Sequence, residues 1–412
     1  MAALSPGQRK RALVFIVATL VIDMLGIGLV WPILPPLIRE ITGEGIESAA
    51  AIYGLLLSIY AVMQFLLGPL IGLLSDRFGR RPVLLVSLFA LGIDYVVLAL
   101  APSLAWIVLG RIVAGILGAT IATANAYVAD ITPREGRAAA FGLVGAAFGV
   151  GFTLGPLLGG VLGEIDLRLP FWAAAALSFA NVAFGWFALP ESLPREKRTT
   201  IVLRRANPFS ALLYIRRYGS LLVFLAAVFV TGLAQQGLQG IWVLWTDAQL
   251  GYGLAEAGYS LAWVGICMVI VQGFVVRIAV ARFGEQAVVL GGYAISLAAF
   301  TSLPFVVSTA WLYVNIAVHI VGWGCADPAL KSAMSRAVPD NEQGLLQGTI
   351  SSVATLSMIV GPIVATQVFA ATAQSEPGAF YWLGSLLFAL AIAIMLAERR
   401  RLAALAAPGG AA

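Results

Sequence analysis

Charge is scarce in this chain. Asp, Glu, Lys and Arg together make up 11% of its 412 residues, whereas 60% are hydrophobic and the mean hydropathy is +0.95. A water-soluble protein of this length covers itself with far more charge, so a soluble enzyme or binding domain is excluded. Cysteine is scarce too: Cys267 and Cys325 both lie inside apolar runs and argue neither for a disulfide framework nor for a metal cluster. His319 is the only histidine. No nucleophile–base pair, metal-ligand spacing or phosphate-cradling glycine loop is present; "GRRPV" follows no strand and lacks the lysine a P-loop needs. Neither catalysis nor a cofactor is therefore expected, and the net charge of +5 points to no nucleic acid, because where the charges sit matters more than their sum.

Long apolar runs, by contrast, are plentiful, and lipid-facing helices are oily all round. A window of about 20 residues finds twelve, near residues 12–35, 51–73, 82–101, 104–128, 138–163, 171–190, 219–246, 256–280, 286–307, 310–335, 344–371 and 379–397. The basic "RKR" before the first run resembles the start of a signal peptide, yet Asp23 interrupts that run and no small-residue cleavage site follows, so it reads as the first spanning helix. The longest hydrophilic interval begins at Glu191. It predicts an all-α integral membrane protein with an N-terminal six-helix bundle over 1–190, a basic cytoplasmic linker over 191–218 and a C-terminal bundle with a short tail over 219–412.

Lys and Arg fall on one side of these spans. With the N-terminus inside, the inner stretches hold Arg9, Lys10, Arg11, Arg77, Arg80, Arg81, Arg134, Arg137, the basic linker, Arg282, Arg336 and Arg399 to Arg401, against Arg39 and Arg168 outside. The positive-inside rule then places both termini in the cytoplasm of a cell whose inner or plasma membrane holds the chain. A weak repeat relates the halves: "RFG" recurs at Arg77 and Arg282, and Gly142, Pro156 and Pro133 recur as Gly348, Pro362 and Pro339 at the same offset to within one residue. A duplicated bundle with a substrate path between its halves is a transporter plan.

The stretch "GLLSDRFGRRPVLL", Gly72 to Leu85, sets an acid and three arginines between two apolar runs. Gly72 suits a close helix approach, Gly79 a sharp turn, and Asp76 can pair with Arg80 or with arginines near Asp130. It fits the signature that lies between helices two and three of the major facilitator superfamily. The fifth run, "GLVGAAFGVGFTLGPLLGG", fits that superfamily's antiporter motif through Gly142, Gly151, Gly155, Pro156, Gly159 and Gly160. Its glycines favour tight packing and its proline a bend. Together with "DMLGIGLVWPILPPL", "GRIVAGILGAT" and "GEQAVVLGG", these stretches resemble the proton-coupled tetracycline exporters over about Leu20 to Gly361.

The resemblance implies twelve transmembrane helices in two bundles, export of a small amphipathic compound against protons, and a functional monomer in the lipid bilayer. It also implies a conformational clasp of Gly72, Asp76, Arg77, Gly79, Arg80, Arg81 and Asp130, with Asp76, Arg80 and Asp130 as a charge relay; ordinary interfacial anchors are the plainer alternative. Ionisable groups inside spans are costly without a partner or a wet cavity, which marks Asp23, Asp94, Arg111, His319 and Asp327 as candidates for proton coupling. Each acid reads equally as a buried structural hydrogen-bonder, and the histidine as a packing residue. Arg111 cannot release a proton and would tune a neighbouring acid. Gln64, Asn125, Gln235, Gln236 and Gln239 suit hydrogen bonding to a mostly apolar ligand, or helix glue. Where the exporters have a histidine in the eighth helix and an acid in the ninth, this chain has Met268 and Ile295, so the resemblance carries the transport class but not tetracycline itself. The alternatives on the same fold are a symporter or facilitator of a sugar, amino acid or other metabolite.

Overall fold

The computed structural model describes residues 6–118, 120–133, 136–199, 219–339 and 342–406. Arg134 and the 200–218 part of the linker lie outside them. Lipid offers the backbone no hydrogen-bond partner, so a spanning segment must satisfy itself as helix or closed barrel. Among the described residues there are twelve helices long and apolar enough to cross a membrane and no strand. They are α1 (Arg11–Thr42), α2 (Ile46–Phe78), α3 (Arg80–Leu100), α4 (Leu104–Ile131), α5 (Ala140–Ile165), α6 (Leu169–Ala188), α7 (Leu221–Leu250), α8 (Leu254–Phe283), α9 (Glu285–Phe305), α10 (Thr309–Arg336), α11 (Gln343–Thr372) and α12 (Ala379–Glu398).

These bounds lie close to the apolar runs, with the end of α1 as the largest departure at any one terminus: it continues to Thr42 through a cluster of prolines. A single 3-10 turn at Trp31–Ile33 resets the helix there, and the prolines fall in first turns, where no backbone N–H is owed to the preceding turn. The "RFG" repeat is a backbone device. Gly79 ends α2 at φ +109° and Gly284 ends α8 at φ +76°, a region L side chains avoid, so each half turns abruptly into its next helix.

Contacts divide the chain into two units. The first takes in Met1–Asn207 and Tyr252–Ile266; the second takes in Pro208–Gly251 and Cys267–Ala412. The boundary therefore cuts α8 as well as the linker.

Inside the first unit the glycine face of α5 does most of the seating. A Cβ added at Gly155 would lie 2.7 Å from Gly28 Cα, and one at Gly28 would lie 2.8 Å from Gly155 Cα, closer than real Cβ atoms approach. Gly151 and Gly159 meet Met24 and Leu29 of α1, while Gly160 lies against Leu254 and Ala255 and Pro156 against Gly258 of α8. Small residues are what let helix backbones touch in lipid. Two motif glycines differ from expectation: a Cβ at Gly72 or at Gly142 would meet nothing within 4 Å. Beside Gly72 the buried side of α2 is carried by Ile71 and Ser75, so the expected close approach is not made there.

The second unit repeats the scheme. Gly361 of α11 stands against Leu233, Gln236 and Gly237 of α7, as Gly155 stands against α1, and Gly348 is as open as Gly142. Gly292 and Gly322 bring α9 and α10 into backbone contact.

Candidate functional site

The signature residues converge at one end of α2, α3 and α4. Arg80, the first residue of α3, has its Nη1 2.6 Å from Asp76 Oδ1 and donates from the same nitrogen to Ser75 Oγ at 2.6 Å, while its Nε donates to Asp130 Oδ2 at 3.1 Å. One guanidinium therefore ties the end of α2 to the end of α4 across the start of α3. A planar fork with fixed donors suits that task better than an ammonium. The other two arginines go elsewhere. Arg81 lies over the Trp186 ring and donates to its carbonyl oxygen, and Arg77 is exposed over Phe78. Of the seven residues expected in the clasp, Asp76, Arg80 and Asp130 meet through their charges and Gly79 supplies the turn.

The interior charges of the first unit form a second group. Asp94 on α3 is 1% exposed, and its Oδ2 accepts from Arg111 Nη2 of α4 at 2.6 Å. Gly110 makes room for that carboxylate, since a Cβ there would collide with Asp94 Oδ1. Asp23 on α1 is 5% exposed. Among the described residues no hydrogen-bond partner reaches Asp23 Oδ1, Asp94 Oδ1 or Arg111 Nε. Tyr60 and Tyr95 lie within electrostatic reach of Asp23, Asp94 and Arg111 alike, and Tyr95 also packs where Gly26 opens the surface of α1. The three charges thus share one neighbourhood built by α1, α2, α3 and α4. Ionisable groups inside spans with unused donors and acceptors are suited to taking up and releasing a proton.

Gln64 belongs to the same wall: its Nε2 donates to Tyr60 Oη at 3.3 Å and to the Gly118 carbonyl at 3.4 Å. Asn125 is half-buried on α4.

The second unit brings its candidates together differently. His319 Nε2 and Gln235 Oε1 are 3.0 Å apart, so the ring nitrogen donates and the expected coupling residue and the expected ligand residue are one buried pair. Phe300 and Phe388 pack their rings edge-on against the imidazole. Gln236 and Gln239 are half-buried. Asp327 is engaged by its own helix, with Lys331 Nζ donating to Oδ2 at 2.7 Å. Met268 stands beside Gly324, and Ile295 is 38% exposed on α9.

Two groups of polar residues were not marked by the sequence reading. Glu191 accepts from the Arg80 backbone N–H at 2.9 Å, a contact between residues far apart in sequence with no local signal. Glu285, the first residue of α9, accepts from Ser332 Oγ at 2.7 Å and pairs with Arg336 at the end of α10. A signal for that pair did exist, because extending the "RFG" repeat by one residue aligns Glu285 with Arg80, and the offset of the Gly142, Pro156 and Pro133 repeat, one residue longer, aligns Arg336 with Asp130.

Residues 16–362 match the family model of the Major Facilitator Superfamily, and a second match covers 226–411. The chain is 41% identical over 381 residues to the tetracycline resistance protein, class C, of Escherichia coli, across 92% of this chain and 95% of that one. Against the tetracycline resistance protein, class D, of Salmonella ordonez, identity is 36% over 393 residues, with 95% and 98% covered. Among solved structures, the human organic anion transporter MFSD10 (TETRAN) superposes with a TM-score of 0.72 at 25% identity, over 95% of this chain and 100% of that one.

Proposed function

The chain belongs to the Major Facilitator Superfamily, in the group of the tetracycline resistance proteins, and on that premise we propose that it exports a small amphipathic compound in exchange for protons by alternating access. The observation that carries this reading is the Asp94–Arg111 pair and the buried Asp23, all inside spans, with acceptors and a donor left over. Interfacial anchoring needs no such charges inside spans, and burying them is costly unless they act. Asp23 is the proton carrier in this scheme, alternately charged and neutral, while Arg111 holds the Asp94 carboxyl. Protonation would shift the balance between the two access states, because a neutral and a charged carboxyl bind those states differently. Asp76, Arg80 and Asp130 brace one state.

Support for the substrate class comes from the names of the relatives and from Gln64, Asn125, Gln235, Gln236 and Gln239, few hydrogen-bonding groups among many apolar ones. The two bundles move as halves, both termini lie in the cytoplasm of a cell whose inner or plasma membrane holds the chain, and one copy suffices. The test is uptake into everted membrane vesicles energised by a proton gradient, with tetracycline first and a panel of amphipathic compounds after it. Accumulation that a protonophore abolishes is expected; accumulation that follows ATP or sodium, or proton-linked flux in the opposite direction, would overturn the reading.

A further inference from the structure

We propose that residues 190–199, Pro190 and the described beginning of the linker, form a strap that fixes the Asp76–Arg80–Asp130 cluster, with Glu191 as its positioning residue. The transport role of the strap rests on the function proposed above; the strap itself does not.

The need arises at the start of α3. That helix begins at Arg80 with no side-chain cap of its own, and the first N–H groups of any helix lack internal acceptors. A cation in that position also sits at the unfavourable end of the helix dipole. Glu191 answers both problems: its Oε1 accepts from Arg80 N at 2.9 Å and places an acid at the helix start. Gly79 is required twice, for its φ and because a Cβ there would lie 2.8 Å from Glu191 Cδ. In the second unit an acid already stands at the helix start without a strap, since Glu285 is itself the first residue of α9.

Glu191 is held in place by its own segment, accepting from Leu193 N at 3.0 Å and facing Arg198 Nη2 at 3.8 Å. Besides α3 the strap reaches two further helices. Thr199 N donates to the Asp76 carbonyl of α2 at 3.2 Å, and the Pro190 carbonyl accepts from Tyr127 Oη of α4 at 2.8 Å. Ser192 Oγ donates at 3.2 Å to Asp130 Oδ2, the same oxygen that takes Arg80 Nε. The cluster therefore cannot open without disturbing 190–199, and the linker is a working part of it.

The full chain, solubilised in detergent, is digested with trypsin, and cleavage between Arg195 and Arg198 is timed by mass spectrometry; gradient-driven uptake is measured in parallel in vesicles. Glu191→Ala should speed that cleavage and lower uptake by about fivefold each, the size of a lost helix cap. Glu191→Gln keeps an oxygen for the Arg80 N–H and should stay within about twofold of the parent on both measures. Unchanged cleavage in Glu191→Ala would overturn the strap, and faster cleavage with undiminished uptake would overturn the positioning role. A glutamine variant as impaired as the alanine one would overturn the backbone cap. Should Glu191→Ala fail to reach the membrane, Ser192→Ala, which removes only the Asp130 contact, should be cleaved about twofold faster, and an unchanged rate would count against the strap. If the parent chain accumulates no compound at all, the proposed function falls while the cleavage measurements still decide the strap.

Discussion

The two halves of this protein place the same contact at the same position with the charges exchanged. In the first, a cation at the start of α3, Arg80, meets an acid at the end of α4, Asp130; in the second, an acid at the start of α9, Glu285, meets a cation at the end of α10, Arg336. The glycines did not change in this way: Gly79 and Gly284 both turn at positive φ, Gly155 and Gly361 both seat a neighbouring helix, and Gly142 and Gly348 both stand open. Backbone geometry tolerates no exchange, since only glycine fits where another backbone passes, whereas an ion pair works in either polarity if both partners change. The interiors differ more. The first unit buries Asp23 and Asp94 and pairs Asp94 with the partly buried Arg111, while the second pairs His319 with Gln235 among aromatic rings and leaves Asp327 to Lys331 on its own helix.

If proton handling belongs to the first unit, Asp94→Asn should produce the largest loss. It leaves the partly buried Arg111 beside a neutral amide inside the span, and removing one partner of a largely buried pair costs about 3–5 kcal/mol, so gradient-driven accumulation should fall about 100-fold or more. Asp23→Asn should lose accumulation while substrate binding, read by tryptophan fluorescence, persists. Asp327→Asn should change accumulation less than about twofold, because its pair with Lys331, 43% exposed, lies along one helix and joins no two elements. Normal accumulation by Asp23→Asn with none by Asp327→Asn would reverse the comparison and put coupling in the second unit.

The glycine half of the comparison is sharpened by thermal unfolding of the detergent-solubilised protein. Gly155→Ala and Gly361→Ala force a methyl group into backbone or a rigid stem and should each cost about 1–3 kcal/mol. Gly142→Ala and Gly348→Ala meet open space in a helix and should be neutral or stabilising by up to about 1 kcal/mol. A loss at Gly142 equal to that at Gly155 would mean that the fifth-helix motif packs as a whole.

Asp76→Asn should lower transport about tenfold while membrane abundance holds, because a half-exposed pair contributes little to stability and its value lies in the state it braces. Transport at the parent rate would remove Asp76 from the clasp. The smallest effect is expected from Glu285→Gln, which keeps an acceptor for Ser332 and leaves Arg336, 67% exposed, in water; about threefold or less in transport fits a cost near 0.5 kcal/mol. A loss as deep as that of Asp76→Asn would make the two ends functional equals despite their opposite polarity.

The twelve spans could be read from the sequence because a membrane helix is set by a local quantity, the free energy of moving about 20 consecutive side chains into hydrocarbon. The same holds for the turn at Gly79, the interior acids and the repeat that links "RFG" to "RFG". Partners were a different matter. Sequence could offer Asp76 either Arg80 or the arginines near Asp130, and only the meeting of three helix ends gave Arg80 to both acids and sent Arg81 to Trp186. Gly72 and Gly155 look alike in a motif, yet one faces open space and the other the backbone of α1, since which side of a helix is covered depends on its neighbours. Glu191, read as the first residue of a linker, caps a helix more than a hundred residues earlier in the chain. Hydrophobic length acts along the chain and is legible there, whereas hydrogen bonds and close contacts reach only a few ångströms and exist only once folding has chosen what stands beside what.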